Sequence, residues 1–128
     1  PHWFASYLFQ EAILHTRQDE GIIYEGSCRK EPEAVLFDEV MSWLDRPYRA
    51  VFITAPDEVI IERLIKRGKI EGRADDSEEK IQVRLRAYRE EVKDAIEYFK
   101  STGNLLEING EGTPQEVHNE VMEKLQKI

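Results

Sequence analysis

The stretch Arg49-Ala50-Val51-Phe52-Ile53-Thr54-Ala55-Pro56-Asp57-Glu58-Val59-Ile60-Ile61-Glu62-Arg63-Leu64-Ile65 decides the fold class. Its first six residues, rich in β-branched and aromatic side chains, predict a strand, and Pro56-Asp57 opens a helix that runs through Ile65. Downstream, Lys66 to Ser77 holds Gly68 and Gly72 without apolar periodicity and predicts a loop. Ile81, Leu85, Tyr88, Val92, Ile96 and Phe99 then recur at spacings of three and four, which predicts a long helix stopped by Gly103. Leu105-Leu106-Glu107-Ile108 reads as a short strand and Asn109-Gly110-Glu111-Gly112 as a turn. Thr113-Pro114 opens a last helix lined by Val117, Val121 and Leu125. Upstream, residues 1–14 read as an amphipathic helix. Ile22-Ile23-Tyr24, between Gly21 and Gly26, reads as a buried strand. A helix with Pro32 in its first turn carries Ala34, Leu36, Phe37, Val40, Met41 and Leu44, and Asp45-Arg46-Pro47 ends it. Strands separated by whole helices leave no room for hairpins. The expectation is an α/β chain with a parallel sheet flanked by helices.

Composition narrows the function classes. A chain of 128 residues suits one domain, and 41% hydrophobic with 34% charged residues suits a globular one. No apolar run approaches the ~20 residues that span a bilayer. Residues 1–14 lack the basic flank and cleavage-like site of a signal peptide. The net charge of −8 argues against a nucleic-acid surface. Between Arg63 and Arg89, however, nine Lys or Arg stand against five Asp or Glu. A cationic tract on an acidic body points to a small polyanion, although charge pairs on a solvated helix face give the same composition. One cysteine, Cys28, permits no internal disulfide and points to the cytoplasm. His2, His15 and His118 share no zinc-ligand spacing with each other or with Cys28.

Two clusters can carry chemistry. Glu25-Gly26-Ser27-Cys28-Arg29 follows a predicted strand, where open parallel sheets bind ligands, and offers an acid and an arginine for a phosphate and its metal ion. The second comprises Arg63, Arg67, Arg73, Asp75, Asp76, Arg84 and Tyr88. Arg63 and Arg67 lie one helical turn apart at the mouth of the glycine-flanked loop, and Arg84 lies on the helix leaving it. Guanidinium groups on a closing loop suit phosphoryl transfer, where charge spreads over the migrating group's oxygens. Asp75 and Asp76 also stand where the long helix needs an N-cap, with Glu78 or Glu79 as capping partner.

Arg63-Leu64-Ile65-Lys66-Arg67-Gly68, then Gly72-Arg73-Ala74-Asp75-Asp76, then Arg84-Leu85 and Tyr88, resembles the short lid of the adenylate kinase family, one of the P-loop NTPase-like folds. Gly21 through Arg29, the junction from Ala55-Pro56 to Arg63, and Asn109 to Thr113 are similar to further segments of that family. The resemblance implies one partial core over residues 1–128 with a lid loop at 67–77. It implies transfer of a phosphoryl group from ATP, with Mg²⁺, to a nucleoside monophosphate, AMP foremost. The partners implied are nucleotides, with no nucleic acid and no membrane, in a family usually monomeric. Catalysis is carried over to Arg67, Arg73 and Arg84. The AMP side is carried over to Gly26, Ser27, Cys28, Arg29 and Glu33 with Arg73 and Arg84, and the ATP side to Arg63, Arg67 and Gly112. Glu25 would hold magnesium through water.

Several features depart from that family. Glu25 replaces a shorter aspartate, Ser27-Cys28 an aromatic-proline pair, and Glu33 a glutamine that reads the adenine of AMP. No glycine-rich phosphate loop occurs in these residues, so the chain alone is expected to be inactive. The strand leading into that loop would lie between the strand at 22–24 and the one at 49–54. Two rival readings remain open: a noncatalytic nucleotide-binding remnant or interaction domain, and a kinase acting on UMP or CMP.

Overall fold

Two apolar five-residue segments meet side by side. Ala50–Thr54 (β1) pairs in parallel with Leu105–Asn109 (β2), in a register from Ala50 opposite Leu105 to Thr54 opposite Asn109. The computed structural model describes residues 1–71 and 77–127. Five helices accompany the sheet among the described residues: His2–His15 (α1), Glu31–Trp43 (α2), Asp57–Glu71 (α3), Glu78–Ser101 (α4) and Pro114–Gln126 (α5). The architecture is α/β with a parallel sheet. No helix among the described residues is long and apolar enough to cross a membrane.

The core forms where α2 and α4 meet the sheet. Ala34 and Ala95 are small enough for the two helices to approach, and Phe99 fills the space beside them with Phe37, Tyr48, Ala50 and Leu105. A run of ring contacts extends this core to α1, from Phe99 through Tyr48 and Phe37 to Phe9. The Tyr48 and Tyr98 hydroxyls both donate to Asp38, at 2.5 and 2.8 Å, which satisfies the polar ends of two rings packed on this core. Two helices end in left-handed caps. After α4, Gly103 at φ 74° lets the amide of Asn104 donate to the Phe99 carbonyl. After α2, Asp45 takes the same role at φ 52°, and the Arg46 amide donates to Met41.

Three expectations are corrected. Residues 22–24 form no strand: residues 21–25 have no regular secondary structure and no ladder partner among the described residues, and Ile23 is 98% exposed. Such a short run pairs only if a neighbouring strand is present. Here Tyr24 is held by ring packing on Phe9 at 4.5 Å instead. The predicted loop starts too early, because α3 continues to Glu71. Gly68 sits at the inward position of the Ile61, Leu64, Ile65 face and is buried; it interrupts the apolar pattern without breaking the helix, at a cost of ~1 kcal/mol relative to Ala. Finally, Ser77 is the N-cap of α4, in place of Asp75 or Asp76. Residues 72–76, with Arg73 and most of the remaining lid loop, lie outside the described residues.

Candidate functional site

In a parallel sheet, ligands bind beyond the carboxyl ends of the strands. The chain leaves β2 there through the 110–112 turn. The Gly110 amide donates to the Thr54 carbonyl at 2.7 Å, which ties the turn to the end of β1. A Cβ at Gly110 would stand 2.9 Å from Ile53 Cγ2 and 3.1 Å from the Thr54 oxygen, so only glycine allows this approach. On its far side the turn is closed by a capping box: Thr113 Oγ1 accepts from the Glu116 amide, and the Glu116 carboxylate accepts from the Thr113 amide. The Thr113 amide and, at 2.8 Å, the Thr113 hydroxyl both donate to the Glu116 carboxylate and hold it below its usual range. The Thr113-x-x-Glu116 spacing is a readable signal that the sequence reading passed over.

Arg63 reaches this turn from α3. Its Nη1 donates to the Gly110 carbonyl at 2.5 Å, and its Nη2 to the carbonyls of Glu111 at 2.6 Å and Gly112 at 3.0 Å. The two segments assigned to the ATP side, 47 to 49 residues apart, are therefore one place. Arg67 lies one turn further along α3 and is exposed.

The second group forms around the 25–29 loop. Gly26 (φ 73°) and Cys28 (φ 55°) both take left-handed backbone. Proline, fixed near −65°, cannot occupy position 28 in this conformation, so the departure from aromatic-proline changes the path of the loop. The Arg29 guanidinium lies over the Tyr88 ring, 5.9 Å from its centre. Tyr88 is one helical turn beyond Arg84, on the same side of α4. Lys30 also meets α4, 3.8 Å from Glu91. Glu25 is exposed.

Glu33 is engaged elsewhere. Its Oε2 accepts from the backbone amides of Arg29 (3.1 Å) and Lys30 (3.4 Å), satisfying free donors at the start of α2. A carboxylate held this way is turned to its own helix rather than to a base. We expect Glu33→Ala to cost about 1 kcal/mol of stability, as loss of a cap does. Glu33→Gln, which keeps an acceptor, is expected to leave acceptor preference unchanged. Denaturant melts and kcat/KM for AMP, UMP and CMP check both.

Cys28 packs against the core, and burial pushes its thiol up to about 11 despite a lowering hydrogen bond from Ser27, with the nearby Glu33 charge adding to the rise. The thiol is therefore protonated near neutrality and is a poor nucleophile. Alkylation by iodoacetamide is expected to be slow at pH 7.5 and to accelerate only as pH approaches 11. Rapid reaction at pH 7.5 would contradict this. The raised value also means that the stability contributed by this group is intact below the ordinary thiol range and falls as pH rises through about 11.

A cleft of about 580 Å³ lies between α3 and α4, lined by Asp57, Glu58, Glu62 and Glu78 with Arg86. Four carboxylates beside one guanidinium disfavour a phosphate there. Asp57 instead pairs with Arg89, tying the start of α3 to α4.

The family model described as "AAA domain" matches residues 7–82, more than half of the chain, and the chain belongs to that family. It is similar to the adenylate kinase of Azobacteroides pseudotrichonymphae, 35% identical over 111 residues, 86% of this chain and 58% of the relative. The adenylate kinase of Thermus thermophilus is 33% identical over 83% of the chain and 58% of the relative. That of Leptospira biflexa is 34% identical over 92% of the chain and 64% of the relative. The chain thus spans somewhat over half the length of these relatives.

Proposed function

We propose that this chain carries the acceptor loop, lid and base-side turn of a nucleoside monophosphate kinase that transfers the γ-phosphoryl group of ATP to AMP. The observation that carries the reading is the separation of two cationic groups on the α/β scaffold. Arg63 sits on the 110–112 turn at the strand ends, while Arg29 lies over Tyr88, one helical turn from Arg84 on α4. Similarity to adenylate kinases over most of the chain supports the same assignment. Arg29 would bind the phosphate of the acceptor. Arg67, Arg73 and Arg84 would neutralise charge on the group in flight, and the backbone near Gly112 would meet the donor base. Positioning and fixed cations suffice for this reaction, with no covalent intermediate on the protein.

Magnesium would be carried chiefly by the phosphates of the donor, with Glu25 holding a coordinated water, since one exposed carboxylate is too few for a protein cage. AMP is preferred over UMP and CMP as the acceptor in this reading, because the one argument for the pyrimidines was the free carboxylate of Glu33, and that group caps α2. The cytoplasm, where both nucleotides are present, is the compartment proposed. The test is ADP formation by the complete natural protein from ATP, Mg²⁺ and each of AMP, UMP and CMP. We expect AMP to give the highest kcat/KM. Transfer to UMP or CMP alone would replace the acceptor assignment, and no transfer to any of them would support a noncatalytic protein.

A further inference from the structure

Tyr88 is the one uncharged member of the arginine-rich cluster, and neutralising phosphate charge gives it no part. It belongs to the apolar series of α4 but does not pack as that series does. Ile81, Val92 and Phe99 are 1%, 6% and 6% exposed, whereas Tyr88 is 40% exposed. A ring left at the surface gains less from burial than its neighbours do. Its face meets a charge instead, the Arg29 guanidinium, 5.9 Å from the ring centre.

Arg29 is fixed at its root. Its amide donates to Glu33 Oε2 at 3.1 Å, at the start of α2. Gly26 lies against the guanidinium, and a Cβ there would stand 3.3 Å from Nη2. The next residue, Lys30, lies 3.8 Å from Glu91, three residues beyond Tyr88 on α4. Loop and helix therefore meet at two adjacent points. An exposed arginine held only at its root samples many rotamers, and gripping a ligand costs it that freedom. A carboxylate partner would restrain the tip but would also occupy its donors and cancel its charge. An aromatic face attracts the cation through its quadrupole, so the N–H donors stay available to a phosphate.

We infer that Tyr88 is a positioning residue for the acceptor phosphate, holding the Arg29 guanidinium by a cation–π contact that leaves its donors available. The inference rests on the proposed acceptor side, where Arg29 meets the phosphate, and Tyr88 acts there through Arg29.

The test measures AMP binding by calorimetry, and kcat and KM for AMP, in the complete natural protein and in a double-mutant cycle with Arg29→Ala. Tyr88→Leu is expected to weaken AMP binding and raise its KM about two- to fivefold, the size of an exposed cation–π contact. Smaller changes are expected in kcat and in the KM for ATP. Tyr88→Phe, which keeps the ring, is expected to recover most of the loss. In the Arg29→Ala background, Tyr88→Leu is expected to add no further loss. A ring that touched the nucleotide itself, or only supported the fold, would still cost affinity without Arg29. Equal losses in the two backgrounds would therefore overturn the inference, as would wild-type AMP affinity in Tyr88→Leu, and neither result disturbs the kinase assignment. If Tyr88→Leu does not fold, progressively fluorinated phenylalanines at position 88 keep the shape of the ring and remove its negative face. Affinity that falls with fluorination supports the contact, and affinity independent of it overturns the inference. A wild-type protein that neither binds nor phosphorylates AMP overturns the inference and the acceptor assignment together.

Discussion

Replacing Arg84 with Ala in the complete natural protein is expected to lower kcat about 100-fold or more while leaving the melting temperature nearly unchanged. The two halves of this result have separate causes. Arg84 is exposed on the long helix α4, and exposed helix positions usually tolerate substitution within ±0.5 kcal/mol, with Ala the best helix former. In phosphoryl transfer, however, a fixed cation acts on charge that is most dispersed in the transition state. Loss of one preorganised group of this kind costs roughly 2.7–4 kcal/mol, a factor of about 100 to 1,000 in rate. Arg84→Lys is expected to fall between, because an ammonium is a point charge that cannot form the two-pronged contact. Steady-state kcat with a parallel thermal melt reads both quantities. Near-normal turnover in Arg84→Ala would remove the arginine clamp from the proposed mechanism.

The second large effect concerns the sheet. Studied alone, these 128 residues are expected to self-associate and to show no measurable transfer from ATP to AMP. Only β2 pairs with β1 among the described residues, which leaves the other edge of β1 open. Val51 and Ile53 on that strand are 40% and 53% exposed, and Trp3, Trp43 and Ile23 are more exposed still. An open edge carrying apolar side chains is a template for another chain. The 22–24 segment does not close this edge: among the described residues it has no pairing with β1. Sedimentation velocity over a hundredfold concentration range, together with an ADP assay, tests the expectation. A monomer with a cooperative, concentration-independent melt and ATP-dependent phosphorylation of AMP would refute it.

How far the sequence could be read follows from what each feature depends on. The periodicity of α4 and the β-branched run of β1 are local, and both elements stand where the pattern put them. Residues 22–24 have the composition of a strand, but a strand belongs to two segments, and composition does not reveal the absent neighbour. The end of α3 was misplaced because Gly68 occupies an inward position, where an absent side chain looks like absent periodicity. The resemblance carries Glu33 to the AMP side, and its capping role is hard to read locally because Lys30 stands where a Ser or Thr is usual, although the Glu three residues on still caps. Arg63 and the 110–112 turn were each assigned to the ATP side by resemblance. Their direct bonding, across 47 residues, is tertiary and left no trace in either segment.

In the proposed function a single chain holds an acceptor side at residues 25–29, Arg84 and Tyr88, distinct from a donor side at Arg63 and the 110–112 turn. The most direct test is the amide NMR spectrum of the complete natural protein, titrated first with AMP and then with a nonhydrolysable ATP analogue and Mg²⁺. AMP alone is expected to shift Gly26, Cys28, Arg29 and Tyr88 while leaving Gly110, Glu111 and Gly112 in place, and the ATP analogue is expected to shift the latter group. Shifts of both groups with AMP alone, or of neither with either nucleotide, would contradict the account.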